Sequence, residues 1–279
     1  MLRNLIGGIA IGIANVIPGV SGGTMMVILG IFERMMDSIS GIFKPHNPDR
    51  LKQLFFLMQV LIGAVVGLVG FAKILNFLFE DYPTQTIYWF IGLVVFSIPL
   101  FLKSEIKGEK INFLWVMLGM ITIFLIQFIA PAKDNLAVNP AFPPVTLAHC
   151  LMMIAAGFAG GFAMLLPGVS GSMVLLIFGQ YYLFKSYLAA VTTFSLQVLI
   201  PLGFLGIGIV AGIVVSALVT SIAFKKNKLA TLSFILGLIV ASSIVLLPLD
   251  VSYSMMMILS CALAFVFGGL IVGLLNKFA

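Results

Sequence analysis

Two short stretches of this chain carry the residue types that bind an anion. Pro18-Gly19-Val20-Ser21-Gly22-Gly23 lies in the first apolar segment, and Pro167-Gly168-Val169-Ser170-Gly171-Ser172 lies just past the middle. Proline removes a backbone donor and clashes with the preceding turn, and glycine loosens the chain, so neither stretch continues a helix smoothly. A helix that restarts after the serine has first N–H groups without intrahelical partners, and its dipole puts positive partial charge there. Ser21, Thr24, Ser170 and Ser172 add hydroxyl donors, while Gly22, Gly23 and Gly171 let a ligand approach the backbone. That combination suits phosphate. Asn15 stands one turn before the first stretch, with Met164 as its counterpart. It either satisfies backbone freed at the break or touches the ligand.

The flanks of the two stretches match as well. Gly8, Gly12 and Gly30 recur as Gly157, Gly161 and Gly179, 149 residues further on. Gly63, Gly67 and Gly92 recur as Gly208, Gly212 and Gly237 at an offset of 145, so the repeat covers nearly the whole chain. Most of these glycines form small-xxx-small patterns, and at those positions helix packing is the sufficient reading. Packing accounts for glycine. It does not account for a repeated proline and serine in a helix-breaking frame. In lipid, broken backbone persists only where it is buried in protein or lines a wet cavity. Paired breaks at matched positions of two halves point to a transporter's binding site.

Composition fixes the class in which these stretches must be placed. Apolar residues make up 62% and charged residues 9% of the chain, against about 45–50% and about 25% in a soluble domain. The apolar runs are long and continuous, which predicts an all-α polytopic membrane protein. The net charge of +6 is then a matter of membrane topology and predicts no nucleic-acid partner. Cys150 and Cys261 fall in apolar segments as free core cysteines, and neither they nor His46 and His149 have metal-ligand spacing, so no metal is expected. The apolar N-terminal run carries the repeated motif, which marks it as retained structure rather than a signal peptide.

In chain order, residues 4–31 form an apolar segment broken at 18–23, and 32–52 read as an interfacial amphipathic helix ending at Pro45. Spans follow at 53–79, 86–102 and 112–130, then a proline-rich linker at 131–146. The second half repeats the order, with a broken segment at 147–179, a mixed aromatic stretch at 180–198, and spans at 199–224, 230–248 and 254–276. If both broken segments enter and return, 12 of the 15 basic residues fall on one side, leaving Lys73, Lys133 and Lys185. If both cross, the bias vanishes. The positive-inside rule therefore favours re-entrance, with both termini cytoplasmic. Three full spans per half is an odd number, so the halves are inverted. The expected architecture is two inverted-topology repeats, residues 1–135 and 146–279, each a re-entrant hairpin (about 5–31 and about 147–179) plus three transmembrane helices.

Glu33 and Arg34 follow the first hairpin directly, where the second half has Tyr182 and Leu183. Two readings stand open: an ion pair at a helix end, or a pair facing the cavity, with Arg34 holding the phosphate and Glu33 coupling transport to a proton. Tyr181, Tyr182 and Tyr187 read as an interfacial aromatic belt.

The Asn15-x-x-Pro18-Gly-Val-Ser21-Gly-Gly-Thr24 stretch, the run through Gly30 to Glu33-Arg34, and the second Pro167-Gly-Val-Ser170-Gly-Ser172 resemble the bacterial and archaeal polyprenyl-phosphate translocases over the full length of the chain. The resemblance implies a plasma-membrane flippase, without cofactor, whose partner is a polyprenyl-phosphate lipid. It would return undecaprenyl phosphate from the outer to the cytoplasmic leaflet for cell-envelope synthesis. The chain is also similar in plan to undecaprenyl-pyrophosphate phosphatases, whose hairpins carry Glu-x-x-x-Glu and Pro-Gly-x-Ser-Arg-Ser. Here Gly22 and Gly171 replace that arginine and neither hairpin holds such glutamates. Phosphoryl hydrolysis needs charge stabilisation and an acid or base, so moving a phosphate is favoured over cleaving it. A small-anion channel or permease is the remaining alternative.

Overall fold

The computed structural model describes residues 2–16, 21–129, 142–248 and 251–278. Pro18, Gly19, Val20, Lys133 and the side chain of Asn15 lie outside them. The described residues form twelve α-helices. The first half holds α1 (Leu2–Val16), α2 (Gly22–Ile28), α3 (Phe32–Ile42), α4 (Arg50–Asp81), α5 (Pro83–Phe101) and α6 (Phe113–Ile129). The second holds α7 (Leu147–Leu165), α8 (Gly171–Ile177), α9 (Tyr181–Ala189), α10 (Leu196–Lys226), α11 (Lys228–Val245) and α12 (Met255–Phe278). In hydrocarbon a helix satisfies its own backbone groups, which is why apolar runs of this length take no other form.

Helix ends follow local chemistry. Thr146 caps α7 by accepting from the His149 N–H at 3.2 Å, and Asn227 caps α11 by accepting from the Ala230 N–H at 3.0 Å. Pro83 opens α5, where its missing donor costs nothing. The short helices α2 and α8 end alike. Gly30 and Gly179 both take the left-handed conformation, at φ 62° and 67°. Gly30 and Ile31 donate to the Val27 and Met26 carbonyls, and Gly179 and Gln180 donate to those of Leu176 and Leu175. This is one Schellman turn built twice.

Long-range packing brings four pairs of helices together through glycine. A β-carbon at Gly8 or Gly12 would collide with the Val60 or Ala64 carbonyl, and Asn4 Nδ2 donates to Gln59 Oε1 at 2.6 Å. Residue numbers rise together along both helices, so α1 and α4 run parallel. The same holds for α7 and α10, where Gly157 meets Leu205 and Gly161 meets Ile209. Close approaches at Gly92 and Gly268 join α5 to α12, and those at Gly119 and Gly237 join α6 to α11. Both of these pairs are parallel as well: Gln85 bonds to Ser260 and Phe96 meets Gly269, while the Asn112 N–H donates to Ser233 Oγ and Gly119 meets Leu238. Without a hydrophobic drive between helices in lipid, such close contacts are what hold the bundle. Parallel α1 and α4 also mean that α4 starts at the level at which α1 began.

Among the described residues six helices are long and apolar enough to cross a membrane: α4, α5, α7, α10, α11 and α12. One member of this set differs from expectation. Helix α6 has 17 residues and falls short, while α7, the first arm of the second hairpin, has 19. Burial ranks the spans, with 61% of the apolar stretch of α11 and 50% of that of α5 enclosed against 22% of those within Arg50–Phe71 of α4 and Met255–Gly273 of α12, so α5 and α11 form the centre.

Two side-chain expectations need comment. Cys150 and Cys261 are free and buried, as read from sequence. Tyr187 is not part of an interfacial belt. It is fully enclosed, stacked on Phe142 at 5.0 Å and hydrogen-bonded through its hydroxyl to His149 Nε2 at 3.1 Å. That bond joins the start of α7 to α9, so the second broken segment also ends at the level where it began.

Candidate functional site

The two broken stretches meet. Ser21 is the N-cap of α2, with extended backbone at φ −102° and ψ 148°, and its Oγ accepts from the Thr24 N–H at 3.1 Å. The second tip then closes on this cap. The Gly168 N–H is shared between Ser21 Oγ at 2.9 Å and Thr24 Oγ1 at 2.8 Å, and Ser21 Oγ donates to the Leu166 carbonyl at 3.2 Å. Both hydroxyls are enclosed, Ser21 at 3% and Thr24 at 1% exposure.

Glycine permits the contact on both sides. A β-carbon at Gly23 would stand 2.7 Å from the Leu165 carbonyl oxygen. Gly168 has φ 80°, and a β-carbon there would stand 2.8 Å from the Leu238 carbonyl oxygen and from Ser242 Cβ. The second tip is thus wedged between the first tip and α11, and Val169 packs against Leu238 and Ala241.

The second tip's hydroxyls are free of this contact. Ser170 precedes α8 and makes no side-chain cap bond. Its Oγ lies 2.7 Å from Ser172 Oγ, and that pair is open to the surroundings. Helix α2 is buried from Gly22 to Val27, whereas α8 buries Leu175 alone. Ser21, Gly22, Gly23, Thr24, Ser170, Gly171 and Ser172 therefore gather in one region with two unequal faces. Gly171 differs from the sequence reading. A β-carbon there would meet Met164 Cγ at 2.6 Å and the Gly160 carbonyl oxygen at 2.9 Å, so this glycine closes the hairpin on itself.

Glu33 and Arg34 are not brought to the tips. The seven residues of α2 stand between, about 10 Å at 1.5 Å per residue. Nor do the two pair with each other, because neighbours on a helix do not share a face. Glu33 Oε2 instead meets Lys228 Nζ at 2.7 Å, with both side chains about half exposed. The Arg34 guanidinium lies 4.1 Å over the Phe56 ring, a cation–π contact. Sequence reasoning missed Lys228, which reads only as part of a basic loop, 195 residues from its partner.

A charged end forms around this pair. Ser221 Oγ donates to Asp37 Oδ1 at 2.6 Å, tying α10 to α3. Lys44 lies beside Lys225; burial first, then that neighbouring ammonium, lowers the Lys44 pKa, while Asp37 raises it. A cavity of about 190 Å³ opens beside Lys228, between Glu105, Lys107, Glu109 and Leu232. Basic residues that the topology argument assigned to one side thus stand together. Among the described residues no three His, Cys, Asp or Glu side chains stand close enough to hold a metal ion.

The sequence model of the VCA0040-like family, described as undecaprenyl phosphate translocase-like, matches residues 11–260. A polyprenyl-phosphate transporter of Staphylococcus aureus is 30% identical over 195 residues, 69% of this chain and 68% of that protein. A polyprenyl-phosphate transporter of Vibrio cholerae is 30% identical over 187 residues, 67% of this chain and 55% of that protein. No solved structure matches the chain. Both relatives are named as transporters and not as enzymes. By sequence and by its apolar spans, this multi-pass membrane protein belongs to the undecaprenyl phosphate translocase-like family.

Proposed function

We propose that this protein is a flippase for undecaprenyl phosphate. It moves the carrier lipid from the outer to the cytoplasmic leaflet of the plasma membrane, where cell-envelope synthesis consumes it. The halves, residues 1–135 and 146–279, are inverted repeats, and both termini are cytoplasmic. The parallel pairs α1 with α4 and α5 with α12 support that arrangement, because the first requires the first broken segment to return and the second requires the second to do so. The phosphate binds at the hairpin tips, on Ser170, Ser172 and the backbone around Gly171, with Ser21, Gly22, Gly23 and Thr24 behind them. The polyprenyl tail stays in the bilayer throughout.

The observation that carries this reading is the paired tips. Hydroxyls of one motif are held against the backbone of the other, and a second pair is open beside them. Among the described residues the tips hold no carboxylate, histidine or basic side chain. Hydroxyls and peptide dipoles without a catalytic acid or base bind phosphate and leave it intact.

Lipid extraction of the purified protein followed by mass spectrometry tests the reading. Co-purifying undecaprenyl phosphate, displaced by added polyprenyl phosphate and not by inorganic phosphate, is the expected result. Displacement by inorganic phosphate alone would make the protein a small-anion permease. Release of phosphate from the pyrophosphate lipid would make it a phosphatase.

A further inference from the structure

The two halves match in fold but not in conformation. Helix α3 lies along α10 of the other half, and its counterpart α9 has no comparable seat on α4. Three contacts hold α3 down. The Phe32 ring stands 6.2 Å from that of Phe224, both buried. Asp37 accepts from Ser221 Oγ, and Glu33 pairs with Lys228 of α11. On the other side the rings matched to Phe32 and Phe224 are turned to other partners. Tyr181, in register with Phe32, turns its ring edge-on to Tyr182 at 5.3 Å. Phe79, in register with Phe224, stacks on Phe90 of its own half at 6.4 Å. Among the described residues no ring contact, hydrogen bond or ion pair joins α9 to α4.

We infer that this is one of two exchange-related states of a single gate pair. Here the basic end is shut by α3 on α10, and the α9 end is open, which leaves Ser170 and Ser172 accessible while Ser21 and Thr24 are sealed. In the other state α9 docks on α4 through Tyr181 against Phe79, α3 leaves α10, and the sealed and open tips exchange roles. The inference rests on the inverted-repeat reading above. Two halves of like fold can each take the conformation of the other, and small differences in contact energy set which state prevails. The bias is legible here. Tyr182 and Pro83 stand where the first gate has Glu33 and Lys228, so the second gate has no ion pair and the basic-end-closed state is the resting one. With the basic end cytoplasmic, the resting protein presents its open hydroxyls to the outer leaflet, where the substrate of an inward flippase begins.

Matched spin-label pairs in the full-length protein, reconstituted in nanodiscs without substrate, test this by pulsed dipolar distance measurement. Labels at 39 and 222 report on α3 against α10. Labels at 188 and 77, the same two positions in the repeat, report on α9 against α4. At rest the first distance is expected to be short and the second long. Asp37→Ala combined with Lys228→Ala should raise a second population about tenfold, since a hydrogen bond to a charged group and an ion pair are lost together. In that population the first distance lengthens and the second shortens. Asp37→Asn with Lys228→Gln, which keep volume and hydrogen bonding, repeat the test in case the alanine variant does not fold. Lengthening of the first distance with the second unchanged would overturn the exchange, as would no change in either. The readout needs no substrate lipid, so loss of undecaprenyl phosphate binding would sink the substrate assignment and leave this result standing. Cysteine labelling of positions 44 and 185 from outside the cell tests the inverted topology separately, with reaction expected at 185 alone.

Discussion

The Gly168 amide of the second hairpin donates to both Ser21 Oγ and Thr24 Oγ1 of the first, at 2.9 and 2.8 Å. One N–H shared by two hydroxyls locks the tips to each other in this state. It also makes the two motifs chemically unequal. Ser21 and Ser170 occupy the same place in the repeat, yet the Ser21 hydroxyl is satisfied by protein, and among the described residues the Ser170 hydroxyl is bonded only to that of Ser172.

The two serines should therefore respond differently to the same substitution. Ser21→Ala removes an acceptor used by two backbone N–H groups in a buried place, and is expected to lower stability by about 1–3 kcal/mol. Ser170→Ala leaves no buried group unpaired, so its unfolding temperature should stay near wild type. Its loss should appear in lipid binding, by about tenfold, as one charge-assisted hydrogen bond to phosphate disappears. Thermal unfolding in detergent and a polyprenyl-phosphate binding titration, run on both variants, check the split. Equal unfolding temperatures would remove the asymmetry.

The glycines divide in a similar way. Gly179 has φ 67° with open space around it, so Gly179→Ala meets only backbone strain, about 1–2 kcal/mol. Gly179→Asn should recover part of it, since asparagine tolerates the left-handed region. Gly168 has φ 80° and the Leu238 carbonyl in the way, so Gly168→Ala should separate the tips. Yield of monodisperse protein and transport in proteoliposomes will rank them: Gly179→Asn nearest wild type, then Gly179→Ala, with Gly168→Ala inactive. Full activity of Gly168→Ala would show that the tips need not touch.

Much of this was legible in the chain. The duplicated Pro-Gly-Val-Ser-Gly frame located both tips, whereas Gly30 and Gly179 stood out only as matched positions, and the turn that recurs there bond for bond is seen only in the structure. Glycine pairs such as Gly8 with Gly12 marked the helix contacts they make. What could not be read was which surfaces meet across the halves. Glu33 and Arg34 are neighbours in sequence, but the helix turns them apart, one to Lys228 and the other to Phe56. A pairing over 195 residues leaves no periodic trace. The sealed and open tips were equally hidden, because a repeat in sequence specifies a like fold in each half and says nothing of which half is closed.

Lys44 makes a pH prediction with a definite sign. Burial and the Lys225 ammonium lower its pKa, and Asp37 only partly opposes them. The charged form is thus disfavoured where α3 lies on α10. The unfolded chain binds more protons at this group than the folded one between the lowered and ordinary lysine values, so stability rises with pH across that alkaline window. Lys44→Gln should be more stable than wild type at neutral pH, and the difference should fade as pH approaches the ordinary lysine value. Paired unfolding curves across that range measure it. A constant difference would mean that the gain has another origin than charge.

The last prediction concerns what would drive the anion inward in the proposed flippase. Moving a negative charge towards the cytoplasm opposes an inside-negative potential at about 2.3 kcal/mol per charge per 100 mV, and a phosphate monoester carries about 1.5–2 such charges. Consumption of the lipid inside can pull the step, and a proton carried with it cancels charge directly. Glu33 is the proposed carrier, and its place in the structure gives that role a mechanical consequence. Its carboxylate holds Lys228 at 2.7 Å across the closed gate. Taking up a proton there removes the ion pair and weakens the hold of α3 on α11, leaving Lys228 with the more distant Glu105 as its counter-charge. Glu33→Gln mimics the protonated form permanently. In proteoliposomes with an imposed pH gradient and a separately clamped potential, it should flip lipid without responding to the gradient. Lys228→Gln should keep the response, because the Glu33 carboxylate is still present, while loosening the gate. A Glu33→Gln protein whose response to the gradient equals that of wild type would leave the Glu33–Lys228 bridge as a surface ion pair, worth at most about 1 kcal/mol, and would move the search for the coupling group elsewhere.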